Sequence, residues 1–150
     1  DTRTAKAAPA DGPRPVPRRF RDLEVHLFTT SDGFLVARGK NQKANHALAT
    51  RIASPFDLWL HVADGPSSHV ILKRDFPNQE VPRTSLEQAA VLCALKSFRK
   101  DDSKADVMVA EARHVKPIKG APPGRVSVEE TQETLRVDVD PRLEHELRMG

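Results

Sequence analysis

The chain has 150 residues, with 24 Lys and Arg against 21 Asp and Glu, a net charge of +3 and 38% hydrophobic residues. That length supports one domain, and no run reaches the roughly 20 consecutive apolar residues a membrane span needs. The single cysteine excludes an internal disulfide and a cysteine-rich zinc site and fits a cytoplasmic protein.

Residues 1–20 are rich in Ala, Pro and Arg and offer almost nothing to bury. Such a segment does not offset its ordering entropy and reads as a stiff, disordered linker. It reads as the connection to upstream domains of the same polypeptide. The folded domain is expected over 21–140, followed by a short polar tail, 141–150, that frays.

Leu23-Glu24-Val25-His26-Leu27 alternates like a half-buried strand, Ser31-Asp32-Gly33 supplies a turn, and Phe34 to Ala37 resumes an apolar run. Asn41 to Ala53 sets Ala44, Ala47, Leu48 and Ile52 at helical spacing and ends at Ser54-Pro55. Phe56–Val62 and Ser68–Leu72 read as two strands around the Asp64-Gly65-Pro66 turn. Asp75 to Arg83 is a loop. Thr84-x-x-Glu87 and Ser85-x-x-Gln88 form overlapping capping boxes before an apolar helix. Its buried stripe is Leu86, Ala89, Ala90, Cys93 and Ala94, widened by Leu92, Leu95 and Phe98, with Arg99 and Lys100 in its last turn. Cys93 on that stripe is expected to be a buried thiol. Asp106 to Ala112 is a strand, Val115 to Gly124 a Lys-, Pro- and Gly-rich loop, and Val126-x-Val128 with Leu135-x-Val137-x-Val139 a final strand pair. The sum is an α+β fold, a mostly antiparallel sheet with two helices packed on one face.

The segment Asp57-Leu58-Trp59-Leu60-His61 to Gly65-Pro66-Ser67-Ser68-His69-Val70-Ile71 concentrates the polar chemistry. It holds the only Trp and two of the six His on an otherwise aliphatic frame. Asp57, His61 and His69 would suit a metal if their strands pair, although the spacing matches no known metal signature. Ser67, Ser68 and His69 beside Asp57 contain the residue types of a hydrolase, without GxSxG or an oxyanion loop. The three polar groups also satisfy one another in a purely structural reading. Gly120-Ala121-Pro122-Pro123-Gly124 does not open a helix and is no phosphate loop.

Nucleic acid is the remaining ligand class. Arg38, Lys40, Asn41, Lys43 and Asn45 surround the start of the first helix, where amide N–H groups favour phosphate. Lys73 and Arg74 follow His69, and Lys116, Lys119 and Arg125 bracket the Pro-Gly loop. With no Tyr and one Trp, stacking of bases on a sheet face is disfavoured, and Trp59 is assigned to the core. Backbone and shape contacts are expected to dominate.

Several blocks occur in one order and register: Gly39-Lys40-Asn41-x-x-x-Asn45; Asp57-Leu58-Trp59-Leu60-His61; Gly65-Pro66-x-Ser68-His69-Val70-Ile71; Leu86-x-x-Ala89-Ala90; and Val115-Lys116-Pro117-x-Lys119-Gly120-Ala121-x-Pro123-Gly124-x-Val126. Together, from about Phe28 to Val139, they resemble the NFACT-R domain family. The resemblance implies an RNA-binding, non-catalytic domain without cofactor or metal. It belongs to ribosome-associated quality control factors that hold the large ribosomal subunit, recruit tRNA and extend a stalled chain with a mainly alanine tail. Older naming of the family implies the alternative, a protein-interaction domain that binds fibronectin or fibrinogen. By this likeness Lys40, Asn41, Asn45, His61, Ser68, His69, Lys116 and Lys119 form the RNA-binding patch, with Asp57, Arg38 and Lys73 in support. The partners implied are tRNA, large-subunit rRNA and the ribosome. The chain departs from the family at His46, where Asp is usual, at Ala49, where Thr is usual, and at Ser67, where Gly is usual.

Overall fold

The computed structural model describes residues 16–149. Its centre is a six-stranded, fully antiparallel sheet made of β1 (Val25–Thr29), β2 (Leu35–Gly39), β3 (Leu58–Val62), β4 (Val70–Leu72), β5 (Lys104–Glu111) and β8 (Glu133–Asp138). The spatial order is β1-β2-β4-β3-β5-β8. A separate two-stranded hairpin pairs β6 (Val115–Pro117) with β7 (Val126–Val128).

Period-two alternation divides the strands between two cores. Val36, Leu58, Leu60, Val70, Leu72, Val107 and Val109 face α3 (Arg83–Ala94) and, at its margin, α4 (Arg142–Leu147). Leu35, Ala37, Trp59, Ile71 and Ala110 face the other way, onto Leu48, Ala49 and Val115. Both faces are therefore covered, which is why the central strands read as near-continuous apolar runs.

The α+β antiparallel architecture expected from the sequence is present, but the two main helices lie on opposite faces. The first helix, α2 (Gln42–Ala47), continues as one π-helical stretch over Leu48–Ile52 and covers the Trp59 face. Helix α3 covers the other. An apolar stripe states that a helix must be covered, not which side of a sheet covers it.

Three further local differences have physical reasons. Helix α3 starts at Arg83 behind Pro82, so Thr84 and Ser85 sit inside the first turn rather than capping it. Ser85 Oγ instead donates to Asp32 Oδ2 at 2.7 Å, and Gln88 bonds Ser31, which ties the helix to the β1–β2 turn. The helix ends at Ala94, so Arg99 leaves it and pairs with Asp64 at 2.6 Å and Asp102 at 3.0 Å. Val126–Val128 pairs with Val115–Pro117, not with β8, and the Pro-Gly residues between them become the hairpin turn, with Gly120 and Gly124 at φ +82° and +91°.

The ends of the described chain are folded onto the sheet. Residues 1–15 of the expected linker lie outside the described residues, but Arg18–Arg21 forms a short helix, α1, and Phe20 is 1% exposed in the second core. Arg19 donates to the Ile52 carbonyl at 2.6 Å. At the other end, the segment expected to fray supplies α4, with Leu143 and Leu147 packed on the first core and Met149 N–H bonded to the Leu27 carbonyl.

Candidate functional site

The antiparallel pairing of β3 with β4 sets Trp59 opposite Ile71 and Leu60 opposite Val70. The next pair outward is His61 and His69, and their ring centroids lie 5.0 Å apart, edge to face. Both rings project on the face of Trp59. The indole stacks on His61 at 5.5 Å and 15° and meets His69 edge-on. The spacing of Trp59, His61 and His69 is therefore the direct result of strand period and hairpin register.

Each imidazole has a defined tautomer. Trp59 Nε1–H donates to His69 Nδ1 at 3.1 Å, so the His69 proton is on Nε2, with the Gly124 backbone as its neighbour. His61 Nδ1 donates to the Val62 carbonyl at 2.7 Å, which leaves Nε2 as an acceptor. Burial, with a contribution from the neighbouring His61, pushes His69 down to about 3. Burial also lowers His61. The pair is neutral near pH 7 and acts through hydrogen bonds rather than positive charge.

Helix α2 closes one side. Asn41 is its N-cap: Oδ1 accepts from Ala44 N–H at 2.8 Å, and Nδ2 donates to Glu24 at 3.0 Å. The helix start expected to hold phosphate is thus already capped by its own side chain. Asn45, one turn on, accepts from the His69 backbone N–H through Oδ1 at 3.0 Å. Gly39 makes room for it, since a Cβ there would lie 2.0 Å from Asn45 Oδ1.

The β6–β7 hairpin closes the other side. Gly124 N–H donates to His46 Nδ1 at 3.2 Å, and the Gly124 backbone neighbours His69. His46 therefore fastens the hairpin to α2. A carboxylate at the same place could accept the same hydrogen bond, so this departure preserves the acceptor while removing a charge. Ser67 is also explained: its hydroxyl accepts from Val62 N–H at 3.1 Å and donates to the Ser68 carbonyl at 2.9 Å. Ala49, buried in the second core, shows no compensating contact.

Between these walls lies a cavity of about 540 Å³. Asn45, Trp59, His61 and His69 form its floor, with Ser67 and Met108 beside them and Gln42, Pro123, Gly124 and Arg125 toward the rim. Asn45, His61 and His69 are thus brought together as the sequence suggested. Gln42 and Met108 are additions the sequence reading did not single out. Met108 points inward because β5 alternates, a placement that required knowing β5 pairs with β3.

Other candidates lie elsewhere. Lys40, Asn41, Lys116 and Lys119 are exposed around α2 and the hairpin and do not line the cavity. Ser68 faces a shallower groove next door. Lys73 pairs with Asp75 at 3.4 Å. Arg38, expected beside the patch, is 0% exposed on the opposite face, where it donates to the Leu92 carbonyl and to Glu144. Asp57 sits at the far end of β3, accepting from Ser54 and Arg74 N–H and facing Arg19 at 3.5 Å. The triad of Asp57, His61 and His69 therefore does not form. Among the described residues no three His, Cys, Asp or Glu side chains gather in a metal-holding cluster. Cys93 is fully buried, and that burial pushes its thiol up to about 12. Among the described residues no helix is long and apolar enough to cross a membrane.

Over residues 24–130 the chain matches the family described as NFACT protein RNA binding domain. It is 35% identical over 116 residues to the Rqc2 homolog RqcH of Bacillus subtilis, an alignment spanning 77% of this chain and 20% of that protein. It is 33% identical over 104 residues to the ribosome quality control complex subunit 2 of Schizosaccharomyces pombe, spanning 69% of this chain and 10% of the relative. The chain thus spans only a small part of the length of these relatives. The C-terminal structure of the fibronectin/fibrinogen-binding protein from Streptococcus suis shares its fold, with a TM-score of 0.79 at 24% identity over 91% of this chain and 54% of that one. On its matched length and its identity to these relatives, the chain belongs to the NFACT-R family of RNA-binding domains.

Proposed function

We propose that this domain is a non-catalytic RNA-binding module that engages tRNA and large-subunit rRNA within a cytoplasmic ribosome-associated quality control factor acting on stalled nascent chains. The observation that carries the reading is the cavity itself: neutral imidazole and amide edges at its floor and Arg125 among its lining residues, with exposed Lys40 and Lys43 flanking the start of α2 and exposed Lys116 and Lys119 on the hairpin outside it. Neutral acceptors and amide donors suit base edges and 2′-hydroxyls, which tell RNA from DNA. The surrounding cations suit phosphate and give affinity without sequence preference. Asn45 and His61 are the base- or ribose-facing groups, and His69, buried behind them with Nδ1 bonded to Trp59, holds the floor in place. Lys40, Lys116 and Lys119 take the backbone, and Ser68 and Asn41 border the path.

The test is filter binding of the 150-residue chain to tRNA and to isolated large ribosomal subunits across a salt series. Affinity that falls linearly with the logarithm of salt supports the reading. Affinity no better than that of a neutral control protein, without a salt slope, ends it. Binding of immobilised fibronectin or fibrinogen in that same case favours the protein-interaction alternative.

A further inference from the structure

The helical spacing of α3 assigns Phe98 to its buried stripe, yet Phe98 is 46% exposed, the most exposed large hydrophobic residue among those described. It lies past the helix end, on a segment bonded to the lip of the cavity. Phe98 N–H donates to the Pro66 carbonyl at 3.0 Å, Ser68 N–H donates to the Lys96 carbonyl at 2.9 Å, and Ser67 bridges Ser97. The ring rests against Gly65, where a Cβ would lie 2.4 Å from its edge carbon. Arg99, itself anchored by Asp64 and Asp102, sits 4.6 Å from the ring centroid. A large aromatic residue is thus held rigid and in water, with no part in either core.

A shallow groove runs beside it. The groove shares Gln42, Asn45, Pro66 and Ser67 with the histidine cavity and adds Lys96 and Phe98. Lys96 is exposed and has no ion pair among the described residues. The groove is therefore continuous with the cavity, has an aromatic wall and carries the exposed Lys96, whose charge also acts on Glu144.

We infer that this groove is a second nucleotide subsite, in which Phe98 contacts an unpaired base of a single-stranded RNA segment running out of the histidine cavity while Lys96 takes its phosphate. This inference rests on the RNA reading and adds the ligand class: a flexible single strand, since a base paired in an A-form helix presents no free face to a side chain. The Phe98 site lies off the sheet face, which explains why a domain with few aromatics still offers one.

The experiment uses the 150-residue chain and short unstructured oligoribonucleotides, one carrying 2-aminopurine, compared with a blunt RNA duplex. Phe98→Leu keeps an apolar side chain on Gly65 but removes the ring; Phe98→Tyr keeps the ring. Thermal unfolding of each variant checks that it folds. The expected result is a loss of about tenfold in single-strand affinity for Phe98→Leu, near-native affinity for Phe98→Tyr, an unchanged duplex affinity, and a 2-aminopurine emission change in the wild-type complex that Phe98→Leu abolishes. Wild-type RNA binding that is the same in Phe98→Leu, or lost equally in both variants, overturns the subsite and leaves the broader RNA reading standing. An absent emission change in a wild-type complex does the same. Failure of the wild type to bind any RNA removes both.

Discussion

The indole N–H of Trp59 and Nδ1 of His69 are joined across the β3–β4 pair at 3.1 Å, inside a wall that excludes water from both. The bond accounts for two things at once. It gives a buried indole its hydrogen-bond partner, and it forces the His69 proton onto Nε2, with the Gly124 backbone of the hairpin as its neighbour. A core residue thus sets the polarity of the cavity floor.

A pH dependence follows from that burial. His69 titrates at about 3 in the folded chain against an ordinary value of 6.5. Between those limits the unfolded state binds more protons, so stability rises with pH. It is fully present above 6.5 and is lost as pH falls. The slope contributed by His69 approaches about 1.4 kcal/mol per pH unit. His61 and His26 are lowered and act in the same direction, whereas burial raises Asp57, which acts oppositely. The comparison with His69→Asn, whose amide oxygen can still accept from Trp59, isolates the His69 share. Urea unfolding from pH 7 to pH 4.5 is expected to show a shallower slope for the variant; parallel curves would mean that His69 is not held neutral.

Gly39 and Asn45 are a second coupled pair. A methyl group on Gly39 collides with the Asn45 amide and approaches its backbone nitrogen at 3.0 Å. Gly39→Ala is expected to cost about 2 kcal/mol, in the range of overpacking, and to displace the acceptor of His69 N–H. Asn45→Ala alone also strands that N–H. In the Gly39→Ala background Asn45→Ala should cost much less, because the bond is already broken and the clash is relieved. Denaturant midpoints of the two single variants and the double variant measure the coupling; simple additivity would contradict the geometry.

Much of this arrangement is legible from residue order, and the unreadable parts have a common cause. The Gly65-Pro66 turn between two apolar runs fixes the β3–β4 register, so the facing of His61 and His69 follows from local pattern. Asn41 as a cap and Cys93 as a buried thiol are local too. Arg38 is different. Its alternation partners are apolar, but its acceptor is Glu144, 106 residues away, on a polar segment with no visible reason to dock. Phe20 is hidden in the same way among arginines, and its burial depends on a core that α2 completes. Met108 and Arg125 reach the cavity only because β5 lies beside β3 and β6 pairs β7. Side-chain chemistry carried by long-range pairing has no short-range signature.

That long-range pair gives a third prediction. Arg38 is buried against Glu144 at 3.1 Å, its guanidinium lying over Phe28 at 4.9 Å. Burial pushes Glu144 up, but the Arg38 hydrogen bond and charge carry it below its ordinary value. Glu144→Ala leaves the guanidinium in the core facing only the Leu92 carbonyl and His26. The expected cost is about 3 kcal/mol, the scale of breaking a buried pair from one side. The double variant Arg38→Met, Glu144→Leu should recover most of it. Urea titrations at pH 7 check both, and equal stability for wild type and Glu144→Ala would show that α4 contributes no buried ion pair.

The exposed lysines can be separated from the cavity by salt. Lys116 and Lys119 stand on the β6–β7 hairpin, which His46 fastens through Gly124, while Lys40 stands beside Gly39 at the end of β2. If all three meet phosphates, Lys→Gln at any of them should weaken different RNAs by similar factors and reduce the slope of log affinity against log salt by about 0.7 to 0.9. His46→Ala should act on Lys116 and Lys119 alone, because releasing Gly124 frees the hairpin but leaves β2 in place. Its effect on RNA binding should therefore be nearly absent in a Lys116→Gln, Lys119→Gln background and fully retained in Lys40→Gln. Filter binding at three or more salt concentrations distinguishes the two patterns. An effect of His46→Ala that is indifferent to the hairpin lysines would detach the latch from the phosphate path.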